Sequence, residues 1–199
     1  MQVKKDFVRE RLINSACSIF TAKGFTETTV SEIAAKAEVG KGTFYTYFRG
    51  KEQLVEAIVD EGMDELLQKI QEAMAEAEKS GTSTFRAFIK ANLEFFSKNK
   101  AVVKFLNREM ASCSSLFKKN REVRERYLLF IRNTLENEIH AGKLRKDLEP
   151  GAASSLLFGM IYSAVLHSTS VSKELSLEHL GESIVTLFKE GGIGPIMAT

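Results

Sequence analysis

The stretch "TVSEIAAKAEVGKGTFYTYF", residues 29–48, decides the fold. Thr29 and Glu32 stand three apart ahead of an apolar run, the spacing of a capping box in which hydroxyl and carboxylate satisfy each other's open backbone donors. Val30, Ile33, Ala34 and Ala37 then share one face, so a helix of about two turns is expected. After a turn at Ala37, Glu38 and Val39, Gly40 caps a third helix. Val39 and Phe44 fall at the two positions of a hydrophobic staple. Phe44 and Phe48, four apart, turn to the core, which leaves Lys41, Thr43, Tyr45, Thr46 and Tyr47 on the remaining surface, with Gly42 letting another backbone come close. Two short helices joined by a turn of three or four residues make a helix-turn-helix, whose second helix sets its N-terminal residues against base edges in the major groove. Tyrosine hydroxyls can donate to phosphate oxygens, and Lys51 opens the next helix at a terminus that attracts anions.

Upstream, "DFVRERLINSACSIFTAKGF" (6–25) carries Val8, Leu12, Ile13, Ala16, Ile19 and Phe20 as one stripe, with Gly24 placed to stop the helix near Lys23. Downstream, residues 50–81 read as one long helix with Leu54, Val55, Ile58, Val59, Met63, Leu66, Ile70 and Met74 on its apolar side. Further helices are expected near Thr84–Lys98, Ala101–Met110, Phe117–His140, Gly151–Thr169 and Leu177–Glu190. Two prolines in 199 residues and apolar spacings of three and four throughout predict an all-α chain with a small head and a larger body. Charge follows the same division. Residues 1–51 hold nine Lys/Arg against five Asp/Glu, whereas 52–82 hold two against nine. A basic head suits nucleic acid.

Residues 12–54, "LINSACSIFTAKGFTETTVSEIAAKAEVGKGTFYTYFRGKEQL", resemble the TetR family of bacterial transcriptional regulators in order and spacing. The resemblance implies a helix-turn-helix domain over 1–51 and a helical effector-binding and dimerisation domain over 52–199. It implies that Lys41, Gly42, Thr43, Tyr45 and Thr46 lie in or at the major groove of double-stranded operator DNA. By the same likeness Thr29, Tyr47 and Lys51 hold phosphates, and Ser31 matches a position that sometimes reaches a base. Glu38 stands where the family often has glycine, and a non-glycine residue at positive φ there carries strain of roughly 1 kcal/mol. Gly40 replaces the commoner serine cap, at a few tenths of a kcal/mol.

In this family the body encloses a cavity for a small-molecule effector of a kind the residues do not name. Met63, Phe88, Asn92, Phe95, Phe105, Glu109, Tyr127, Phe130, Phe158, Tyr162 and His167 are its candidate lining, although aromatic stripes at helical spacing equally fill cores. The segment 152–164 is apolar all round, so one side covers its own body and the other can meet a second chain. Ser155, Gly159, Ser163, Leu180, Ile184, Leu187 and Phe188 are the candidate homodimer interface, an isologous four-helix contact.

Other chemistries find little in the residues. The carboxylates Glu56, Asp60, Glu61, Asp64 and Glu65 read as a solvated helix face, and no metal or cofactor is expected. His140, His167 and His179 lie apart, and no phosphate loop or nucleophile elbow occurs, so no enzyme is expected. Cys17 and Cys113 suit reduced thiols in the cytoplasm, and no span long enough for a membrane is expected. The expectation is a ligand-responsive homodimeric repressor released from its operator when the body binds its effector. The alternative is a helical ligand-carrier or protein-interaction module without DNA binding.

Overall fold

The structure is a computed structural model that describes residues 2–109, 114–170 and 176–190, with the side chains at 2–6, 107, 114–116 and 167–170 left outside the description. Among the described residues nine helices run in order: α1 (Gln2–Lys23), α2 (Val30–Lys36), α3 (Lys41–Tyr47), α4 (Lys51–Lys79), α5 (Thr84–Lys98), α6 (Lys100–Glu109), α7 (Ser114–His140), α8 (Pro150–Ser170) and α9 (Leu177–Glu190). The chain forms two compact units, Met1–Asp64 with Ala101–Val123, and Glu65–Lys100 with Arg124–Thr199.

In the first unit the stripe of α1 is the floor of the core. Leu12, Ala16 and Phe20 are fully buried with Ile33 of α2, Phe44 of α3, and Leu54 and Val55 of α4. Each of the larger side chains, Ala16 apart, contributes roughly 1.5–3 kcal/mol through burial, and this holds two seven-residue helices that are too short to persist alone. α1 stops because Gly24 takes φ +90° and gives its N–H to the Phe20 carbonyl at 2.9 Å. Phe105 of α6 stacks on Phe20, with centroids 5.4 Å apart and planes 4° from parallel. That contact places α6 in this unit's core.

In the second unit α5 is central, packing against α8 and α9. Ser83 caps α5 by accepting the Arg86 N–H at 3.3 Å. Phe85 meets Phe188 of α9 at 5.6 Å. At the start of α5, the Thr84 hydroxyl donates to the buried Glu138 carboxylate of α7 at 2.7 Å, and Lys143 lies 3.8 Å from the same carboxylate. The loop before α8 ends in Glu149, whose carboxylate accepts the Gly151 and Ala152 N–H groups at 2.9 and 2.5 Å, while Pro150 starts the helix where no N–H is needed. Those two bonds hold the Glu149 carboxyl below its ordinary range.

Candidate functional site

Thr29 caps α2 in a complete capping box. Its hydroxyl accepts the Glu32 N–H at 3.3 Å and donates to the Glu32 carboxylate at 2.8 Å, and that carboxylate accepts the Thr29 N–H at 2.8 Å. Lys23 adds a bond at 2.5 Å, and Lys23 first, then the two Thr29 donors, lower the Glu32 carboxyl to about 2. The hydroxyl and amide of Thr29 are thus already engaged inside the head. Ser31 beside it is exposed.

Between α2 and α3 the chain turns through a Schellman motif. Val39 N–H bonds the Ala34 carbonyl and Glu38 N–H bonds the Ala35 carbonyl, both at 3.0 Å, with Glu38 at φ +52°. Gly40 caps α3 with its backbone alone. Phe44 and Phe48 are buried at 0% and 3% exposure, with ring centroids 5.9 Å apart. Against that anchor Lys41, Gly42, Tyr45 and Thr46 are exposed, and Thr43 and Tyr47 are half-buried. Tyr45 stands 52% exposed, its ring edge-on to Phe44, and a Cβ built on Gly42 meets nothing within 4 Å. Thr46 returns its hydroxyl to the Thr43 carbonyl at 2.6 Å. The remaining candidate, Lys51, points its ammonium at the carbonyls of Phe25 and Thr26, at 2.8 and 3.3 Å, and sits 4.6 Å over the Phe25 ring. Sequence reading missed this internal tether, because a contact across 26 positions leaves no periodic trace.

The effector candidates separate into two groups. Phe88, Asn92, Phe95, Tyr127, Phe130, Phe158 and Tyr162 belong to the second unit. There the rings of Phe96, Tyr127, Phe158 and Tyr162 follow one another at 5.9–6.4 Å, and Phe88 meets Phe130 at 6.4 Å. One polar pair lies among them. The fully buried Tyr127 hydroxyl donates to the Asn92 side-chain carbonyl, and the Asn92 amide donates to the Phe88 carbonyl at 2.8 Å. Burial pushes the Tyr127 phenol well above its ordinary value.

Met63, Phe105 and Glu109 stand in the first unit instead. Phe105 is committed to the stack on Phe20, and Glu109 lies with Arg108 beside Gly24, so the apolar face of α6 closes the head. The side chain of His167 lies outside the described residues. Sequence reading also missed a surface groove of about 560 Å³ between α5 and α9, floored by Ile89, Leu93 and Val185. Its signal was Gly181, where a Cβ would approach Leu93 Cδ1 to 3.1 Å.

The interface candidates also divide. Ser155, Gly159 and Ser163 are exposed along α8 together with Leu156 at 65%, and Leu180 and Leu187 of α9 are half-buried. Ile184 and Phe188 are buried within their own chain, because the helical period sets Gly181, Ile184, Val185 and Phe188 on one face of α9. Two carboxylates of the acidic face of α4 meet cations from other helices: Glu61 pairs with Arg9, and Asp60 with Lys119 at 2.6 Å.

Comparison with known proteins covers both units. Residues 12–58 match the family described as bacterial regulatory proteins, tetR family, and residues 59–191 match the C-terminal region of YsiA-like proteins. The chain is 24% identical to the fatty acid metabolism regulator protein of Bacillus subtilis (strain 168) over 183 residues, 91% of this chain and 93% of that one. Its fold resembles the fatty acid degradation regulator FadR of Bacillus halodurans, with a TM-score of 0.77, 22% identity and coverage of 96% and 97% of the two chains. It likewise resembles FadR of Bacillus subtilis in complex with stearoyl-CoA, with a TM-score of 0.73, 22% identity and coverage of 92% and 98%.

Proposed function

The chain belongs to the TetR family of bacterial transcriptional regulators and is a ligand-responsive DNA-binding regulator, and from that premise we propose how its parts divide the work. The division is residues 1–51 for DNA and 52–199 for effector binding and dimerisation. α3 enters the major groove with Lys41, Gly42, Thr43, Tyr45 and Thr46 toward base edges, and Ser31 reaches from α2. Tyr47 holds a flanking phosphate. Lys51 does so with the N–H left over from its two carbonyl bonds, and Thr29 acts by fixing the α2 N-terminus toward a phosphate. The observation that carries this reading is the exposed, hydroxyl- and lysine-bearing side of α3 over two buried phenylalanines.

The effector is proposed to be a long-chain acyl thioester. Support comes from the relatives named for fatty acid metabolism and from the stearoyl-CoA bound to one of them. In this chain an apolar wall of Phe88, Phe130, Phe158 and Tyr162 suits an acyl chain, and the Asn92–Tyr127 pair suits its polar end. Two copies join through Ser155, Leu156, Gly159 and Ser163 of α8 with Leu180 and Leu187 of α9, which spaces two heads for half-sites roughly 34–36 Å apart. The regulator acts as a cytoplasmic repressor whose effector favours a form with misplaced heads. No helix among the described residues is long and apolar enough to cross a membrane.

Selection from random duplexes followed by fluorescence anisotropy tests the proposal. A palindromic site should be enriched, bound more tightly than random DNA and more weakly as salt rises, and stearoyl-CoA should release it while free CoA does not. Retention of the operator under saturating stearoyl-CoA would remove the acyl thioester, and failure to enrich any sequence would remove the groove assignment.

A further inference from the structure

We propose that Arg11, on α1, is a positioning residue for DNA reading, resting on the assignment of α3 to the groove. Its guanidinium clamps the turn that aims α3. One guanidinium nitrogen, Nη2, donates to the Ala37 carbonyl, and also to the Glu38 carboxylate at 2.7 Å. Ala37 is the last residue of the α2 cap, so its carbonyl has no partner in the helix and takes one from α1. Glu38 holds φ +52°, where an L side chain is disfavoured and glycine is at ease. The side chain that makes the turn difficult is the one that recruits its own brace.

The surroundings make this more than a surface ion pair. Arg11 is one-third exposed, and its neighbours Leu12 and Ile13 are anchored in the core, so the guanidinium reaches out from a fixed base. The far side of the turn is Val39, packed on the core beside the α3 cap. Seven-residue helices on either side cannot hold their own direction, so a change at the turn passes to α3. An exposed ion pair contributes little to stability. The effect of Arg11 is therefore on where α3 points, and it appears in discrimination between DNA sequences.

The test compares the full chain with Arg11→Ala, Glu38→Gly and the double variant, on the selected operator and on a random duplex of equal length. Arg11→Ala should weaken operator binding about tenfold, the scale of one lost base-edge contact, with random-duplex affinity within about twofold and the salt slope unchanged. In the Glu38→Gly background, where the left-handed position is unstrained and only the Ala37 carbonyl bond is left to lose, the same replacement should have an effect of no more than about twofold. Amide hydrogen exchange at Val39, read without DNA, should quicken in Arg11→Ala and return to normal in the double variant. Equal loss on both duplexes with a salt slope smaller by about one makes Arg11 a phosphate contact and overturns the proposal. Unchanged operator binding or unchanged Val39 exchange overturns it too. If the unaltered protein binds no duplex, the groove assignment fails while the exchange measurement still decides the clamp.

Discussion

Glu32 does two jobs at the start of α2, closing the capping box and holding Lys23. Its carboxyl titrates at about 2 in the folded chain against an ordinary 4.5, so the charged form is favoured by folding. The contribution is therefore complete above about pH 4.5 and fades as the pH falls toward 2. Glu32→Gln keeps an oxygen for the cap but has no charge to lose. Thermal unfolding should place the parent above the variant at neutral pH, with the gap closing as pH drops from about 5 to about 2. A gap that stays constant over that range would mean the ion pair adds nothing. The box itself was legible as Thr29 and Glu32 three apart, whereas the Lys23 partner arrives from α1 and was not.

Helices α2 and α3 were readable because caps and breakers bracket them: Thr29 and Gly40 at their starts, and Phe44 at the fourth position from Gly40. α4 is a different kind of element. It runs 29 residues without a break through Gly62, where a Cβ would meet nothing within 4 Å, and the two units meet in sequence two residues later. Alanine at that site removes glycine's entropic penalty with no steric one, so Gly62→Ala should stabilise the chain by about 1 kcal/mol. A rise in the denaturant midpoint with an unchanged slope checks this. A fall would mean that the helix bends at Gly62 in the working protein.

For the whole molecule, the test of assembly is Leu156. It is 65% exposed in the single chain, on the α8 face that also shows Ser155, Gly159 and Ser163. A charge placed there is tolerated in a monomer and opposed in an isologous contact, where it meets its own copy. Leu156→Asp should sediment as a monomer with an unchanged circular dichroism spectrum, while the parent sediments as a dimer. It should also lose operator affinity, because a single head holds only one half-site. Dimeric Leu156→Asp would move the interface elsewhere.

What residues 12–54 determined by themselves is the local order of the head, its helix starts and stops and the turn with its left-handed residue, because caps and turn bonds act within a few positions; the two inward rings were legible from their spacing of four, and the core they enter comes from α1, α2, α4 and α6. Periodicity likewise placed α5 and α9 to the residue. Tertiary structure decided which apolar face met which. α6 gave Phe105 to the head, α9 turned Phe188 onto Phe85 of α5 and buried Ile184 within its own chain, and Arg11 and Lys51 found carbonyls 26 residues away. A helical pattern specifies that a face is buried but not its partner, since apolar contact is non-directional and the pairing is chosen by the packing of the whole unit.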